Sequence, residues 1–208
     1  ARLTTFVDIA QGRLPQQSWF ALGRQLTNIG STPILLSWSG SMFEYLMPLL
    51  VMPTYRNTLL DQTSKAVVQK QMEYGRKRGV PWGISESGYN MVDANLNYQY
   101  HPFGVPGLGF KRGLGEDLVI SPYSTILSLM VYPKEAYDNL QVMRDEGFEG
   151  RFGFYEAIDY TPSRLSRKQN YAIVKSFMAH HQGMSFLAIS QLLHQQPMQQ
   201  RFESDIEV

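Results

Sequence analysis

The chain has 208 residues, a formal net charge of +1, 18 % charged residues and no cysteine. That length suits a single domain with a proper core. Disulfides and thiolate metal sites are excluded, and no run of Lys or Arg is interleaved with aromatics, which argues against nucleic acid as a partner.

In chain order, "PQQSWFALGRQLTN" (15–28) places Trp19, Phe20, Leu22 and Leu26 at helical spacing behind Pro15, predicting an amphipathic helix. The most apolar segment runs from Pro33 to Pro53, but it contains Glu44, serines and an internal proline. It therefore reads as a buried core helix rather than a membrane span. The segment 57–78 is an amphipathic helix that ends in a basic turn before Gly79. Further helices are expected over 121–132 and 133–147, divided at Pro133, and over 178–196 and 197–202, divided at Pro197.

The helices beginning near Ser39, Ser121 and Met178 are apolar nearly all round, and each is followed closely by an amphipathic partner. The return connections are long, 79–120 and 147–177, and rich in Gly, Trp, Tyr and Phe, so function explains them better than disorder. Strand-like alternation is scarce. The pattern predicts an all-α fold in which three inner–outer hairpins make about half of an (α/α)6 toroid, with the long loops on one face. Residues 1–208 then form one helical domain, the C-terminal half of a larger one. The start at Ala1, with no targeting segment, fits a piece of a longer chain.

The first long loop carries "GVPWGISESGYN", which sets Glu86 among Trp82, Tyr89 and Asn90. The second carries "GRFGFYEAIDYTPSR", which sets Glu156 and Asp159 among Phe154 and Tyr160. Two carboxylates in aromatic surroundings suit cleavage or transfer of an acetal. One protonates the leaving oxygen while the other attacks the anomeric carbon or activates water. Aromatic faces stack on sugars, and amides and hydroxyls bond their hydroxyl groups. The competing reading has Glu86 and Glu156 capping helices or pairing with Arg76, Arg112 or Arg151.

Glu44, near the start of the first inner helix, is either a third pocket carboxylate or a helix-terminal group. In "MAHHQGM", His180, His181 and Gln182 open the third inner helix, and adjacent histidines point about 100° apart, which is not a metal pair. A ligand or loop hydrogen bond is one role for a histidine here, and a satisfied core position is the other. The glycine-rich "FGVPGLGFKRGLGED" fails the phosphate-loop pattern, because Arg112 stands where the third glycine belongs. It is expected to shape the pocket wall. Glu44, Glu86, Glu156 and His180 should converge in one concavity lined by Trp38, Trp82, Tyr89, Phe154 and Tyr160. No metal or cofactor is called for.

Five strings, "LSWSGSMFEYLMPLL", "GVPWGISESGYN", "FGVPGLGFKRGLGEDLVISPY", "GFYEAIDYTPSR" and "MAHHQGMSFLAI", together resemble the glucoamylase-like domain of bacterial cyclic β-1,2-glucan synthases. The similarity runs over nearly the whole chain. It implies a transglycosylase that closes linear β-1,2-glucan into rings with retention at the anomeric carbon, Glu86 and Glu156 matching the acidic motif positions. It also implies a large parent polypeptide in the bacterial inner membrane. That parent would carry the other half of the barrel with glycosyltransferase and phosphorylase-like domains, this domain lying on the cytoplasmic side. Related β-1,2-glucan hydrolases share the fold, and a non-catalytic glucan-binding or scaffolding module is the reading from another class.

Overall fold

The computed structural model describes residues 2–205, so the ends of the expected 1–208 domain lie outside the described residues. Three short inner helices form its centre. These are α3 (Met42–Leu46, prolonged by a 3-10 turn over Met47–Leu50), α5 (Pro122–Leu127, prolonged over Ser128–Met130) and α7 (Ala179–Leu193). They pack side by side, α3 on α5 and α5 on α7. Each is backed by an outer partner: α4 (Leu59–Arg78), α6 (Pro133–Asp145) and α8 (Pro197–Glu203). Two helices, α1 (Arg2–Ala10) and α2 (Gln17–Ala21), precede this core.

Local chemistry sets the helix ends. The Thr58 side chain accepts from Asp61 N at the start of α4, and the left-handed Gly79 closes it after Arg76, Lys77 and Arg78. Both α6 and α8 open on proline, whose missing N–H costs nothing in the first turn. Inner-helix side chains Met42, Leu46, Leu127 and Ala188 join Val67 and Val68 of α4 and Met143 of α6 in one buried cluster.

Three expectations are corrected. The segment 33–53, read as one buried core helix, is extended at its start and helical only from Met42 to Leu50. The segment 15–28 is helical only over Gln17–Ala21; Leu26–Ile29 (β1) turns at Gly30, φ +58, and pairs antiparallel with Thr32–Leu35 (β2), Leu26 opposite Leu35. The β-branched Thr27 and Ile29 beside a turn glycine favour the hairpin over a helix whose apolar spacing happened to fit. The long loops, moreover, are built of strands, so the fold is mixed α/β rather than all-α.

In the first loop β3 (Ser87–Val92) pairs antiparallel with β4 (Tyr98–His101), with a register shift after Tyr89, and β5 (Val119–Ile120) closes the loop. The second forms a hairpin of β6 (Glu149–Gly150) and β7 (Gly153–Phe154), then β8 (Ala157–Asp159) and β9 (Ala172–Val174). A three-stranded sheet ordered β5–β8–β9 ties the two loops together. These strands are two to six residues long and buried on irregular faces, so no extended alternation marks them in sequence. No closed barrel is present among the described residues.

The glycine-rich stretch 103–109 is a strap across the entry to α3. Val105 N donates to Gly40 O, Ser37 N to Leu108 O and Phe110 N to Ser37 O. Gly104 and Gly109 lie against the backbone of Ser39 and Gly40, where any Cβ would collide with main-chain atoms.

Candidate active site

The two loop carboxylates sit in contrasting surroundings. Glu86, just before β3, is half-buried, and its carboxylate has no hydrogen-bond partner among the described residues. Burial raises its pKa above the ordinary glutamate value; the nearby His181 opposes that shift and Glu44 adds to it. Glu156, just before β8, is 2 % exposed. Its Oε1 accepts from Gly88 N at 3.1 Å, and His181 Nδ1 lies 2.9 and 3.0 Å from its two oxygens. Gly88 permits this approach: a Cβ there would press to 3.3 Å from the Glu156 side chain.

His181 is buried in the first turn of α7 and stacks flat on Tyr123 of α5, centroids 3.7 Å apart and planes 10° off parallel. Tyr123 donates to Ser85 Oγ at 2.8 Å and lies 3.0 Å from Glu86 O, which fixes the backbone that presents Glu86. On the open side, Tyr100 of β4 places its hydroxyl 3.2 Å from His181 Nε2 and 3.5 Å from His180 Nε2. Its pKa is raised by burial and by the charges of Glu86 and Glu156. Both carboxylates, His180 and His181 therefore share one locality, floored by α5 and α7.

Glu44 is within electrostatic reach of Glu86, yet its own carboxylate is taken up at the N-terminus of α3. It accepts from the hydroxyls of Ser37, Ser39 and Ser41 and from the amides of Trp38, Ser39 and Ser41, in a capping box with Ser41. Those bonds outweigh its burial and lower its pKa. The geometry is that of the helix-terminal alternative.

The remaining expected contacts divide. Asn90 and Asp159 meet each other: Asn90 N donates to Asp159, which is fully buried and also receives the Arg164 guanidinium at 2.6 Å, while Asn90 Nδ2 bonds Arg164 O. Arg164 further holds Asp117 and lies over the Tyr89 ring, so Tyr89, Asn90 and Asp159 clamp the two loops together. Trp82 packs on the core, its Cβ against Gly75 of α4, while its backbone N and O bond Asn139 of α6. Tyr160 points to Tyr171 and Glu146, and Phe154 packs on the core. Trp38 is 67 % exposed, and His180 and Gln182 are exposed at the mouth of α7.

Sequence reasoning passed over Tyr100 and Tyr123. The alternation in "NYQYH" was the available signal for the first. A cavity of about 390 Å³ lies elsewhere, between α1, α2 and the turn after α3, lined by Phe6, Trp19, Met52 and Tyr55. It contains none of the carboxylates.

On the other face of β4, Lys111 Nζ donates to His101 Nε2 at 2.6 Å and to Pro102 O. Burial and the Lys111 charge lower the His101 pKa. The folded state then binds fewer protons than the unfolded one, so this contribution to stability is present above about pH 6.5 and lost as pH falls below it. His180, lowered by burial and by His181, acts in the same direction. Denaturation midpoints between pH 8 and pH 5 should fall more steeply in the native protein than in His101→Gln. Equal slopes would rule out His101 as a source of acid sensitivity.

Paired inner and outer helices, with the loops and their acids gathered at one end, are an arrangement of glucoamylase-like helical folds. The chain belongs to the Glycoamylase family, whose model, described as "Putative glucoamylase", matches residues 10–205. Over 205 residues, 99 % of this chain, it is 47 % identical to the cyclic β-(1,2)-glucan synthase NdvB of Rhizobium meliloti (strain 1021). The chain spans 7 % of that relative's length.

Solved structures share the fold. A "putative glucoamylase" from Bacteroides fragilis NCTC 9343 matches with a TM-score of 0.65 at 17 % identity, over 92 % of this chain and 45 % of that one. The endo-β-1,2-glucanase of Chitinophaga pinensis, solved with sophorotriose and glucose, matches with a TM-score of 0.62 at 16 % identity, over 88 % and 44 %.

Proposed function

We propose that this chain is the glycan-active part of a cyclic β-1,2-glucan synthase, which transglycosylates linear β-1,2-glucan to close it into rings. The observation that carries the reading is Glu86: a half-buried carboxyl with raised pKa and no hydrogen-bond partner among the described residues, beside a second carboxylate held by His181. An acid so placed is suited to protonate a glycosidic oxygen and then to take the proton of the incoming hydroxyl. The 47 % identity to the Rhizobium meliloti synthase supports the substrate.

Ring closure with retention requires a carboxylate to hold the glycosyl unit between two displacements. Glu156 is the partner we assign to Glu86. A fluorinated glucosyl donor that traps on Glu156, found by peptide mass spectrometry, would support double displacement; inverted product would exclude it.

The half-toroid belongs to the same reading. The exposed Phe186, Ile189, Leu192 and Leu193 on α7 suit burial against the other half of an (α/α)6 domain, as do solved relatives of about twice the matched length. No helix among the described residues is long and apolar enough to cross a membrane. An inner-membrane parent with glycosyltransferase and phosphorylase-like domains, and a cytoplasmic position for this one, are proposed on the resemblance of its motifs to cyclic β-1,2-glucan synthases.

The test is to incubate the complete polypeptide with linear β-1,2-glucan and to resolve rings from shortened chains. Rings support the synthase reading, and shortened chains alone would replace it with an endo-hydrolase. Binding without turnover would replace it with a glucan-holding module.

A further inference from the structure

Resting on the reading of Glu86 and Glu156 as the acidic pair, we propose that Tyr100 is a positioning residue that orients Glu156 through His181. Glu156, His181 and Tyr100 form a chain of contacts from a buried carboxylate to a hydroxyl at the open face of the loops, at 2.9 Å and then 3.2 Å. Tyr100 is 39 % exposed, whereas His181 is fully buried. Tyr100 is thus the outer end of an otherwise enclosed chain.

The hydrogen-bond directions follow from its inner end. Glu156 Oε1 accepts from Gly88 N and both its oxygens face His181 Nδ1, so the proton between them is assigned to Nδ1, and in the neutral ring Nε2 is left with a lone pair. The group facing that lone pair is the Tyr100 hydroxyl, which donates to it; the phenol oxygen then faces the His180 Nε2 at 3.5 Å. The ring lies flat on Tyr123, and the backbone that carries it takes a bond from the Ser185 hydroxyl to the His181 carbonyl. Tyr100 therefore secures the tautomer of His181, and with it the donor that holds both oxygens of Glu156. Groups that orient a metal-ligating histidine from behind change activity by about 10- to 100-fold when removed, and the same scale is taken for Tyr100 behind His181.

Tyr100→Phe in the complete polypeptide tests this. Turnover should fall about 10- to 100-fold in kcat, with KM for linear β-1,2-glucan changed by less than about threefold. His181→Asn keeps an N–H toward Glu156 but breaks the link to Tyr100, so adding Tyr100→Phe to it should cost no further activity. Additive losses would overturn the proposal, as would a raised KM with unchanged kcat. A wild type that leaves β-1,2-glucan untouched would remove the functional reading and this proposal with it. An active wild type with an indifferent Tyr100→Phe would remove the proposal alone.

Discussion

Replacing Glu86 by Gln is expected to lower turnover of β-1,2-glucan by on the order of 10²- to 10⁴-fold, the usual range for a proton donor in acetal chemistry. Stability should hold or rise at neutral pH. The folded-state pKa of Glu86 is raised, chiefly by burial, so the folded protein binds this proton more tightly than the unfolded chain does. Its contribution to stability is present below the unfolded value of about 4.3 and lost as pH rises through the folded value. Glutamine never ionises and escapes that loss. Melting curves from pH 4 to pH 8 should therefore bring variant and native protein together at the acid end and favour the variant at the neutral end. An active Glu86→Gln enzyme, or one less stable only at neutral pH, would remove Glu86 as the proton donor.

Gly104→Ala should be the most damaging of the small substitutions. A Cβ at this position would overlap the carbonyl oxygen of Ser39 and crowd Gly40 C, and both obstacles are backbone. No rotamer change relieves such a clash, so the strap must lift from the entry to α3 and give up bonds such as Val105 N to Gly40 O. Overpacking of this kind costs about 3 kcal/mol or more, equivalent to a fall in Tm of about 6–12 °C for a chain of this size. Gly23→Ala is the control: its backbone is not left-handed and nothing lies within 4 Å of the added carbon, so it should be close to neutral. Equal melting temperatures for the two variants would show that the strap yields easily. The loss at Gly104 should also lower activity, since the same strap leads through Lys111 and His101 to the strand that bears Tyr100.

The longer helices were legible in the sequence because their signals are local. Thr58 and Gly79 mark the two ends of α4, Pro133 and Pro197 open α6 and α8, and the apolar surroundings of α5 and α7 mark them as inner helices. The acids in the two glycine- and aromatic-rich loops were visible as well, along with the histidines that open α7. The strands were not, since residues such as Val119 and Ile120 acquire extended structure only by pairing with Asp159 and Ile158, far away in the chain. A two-residue strand has no period to read.

The roles within the site were decided by tertiary structure for the same reason. Glu44, Glu86 and Glu156 are one residue type in similarly aromatic or serine-rich strings. Their difference lies in what surrounds each carboxylate: a serine-lined helix cap for Glu44, no hydrogen-bond partner among the described residues for Glu86, and His181 with the Gly88 amide for Glu156. Trp82 and Asp159 were placed correctly in their loops but turned toward neighbours that sequence proximity does not reveal, the core for one and Arg164 for the other. The chain by itself determined which residues could do chemistry. Packing determined which of them were left without a partner, because burial and hydrogen bonding depend on contacts between segments that only the fold brings together.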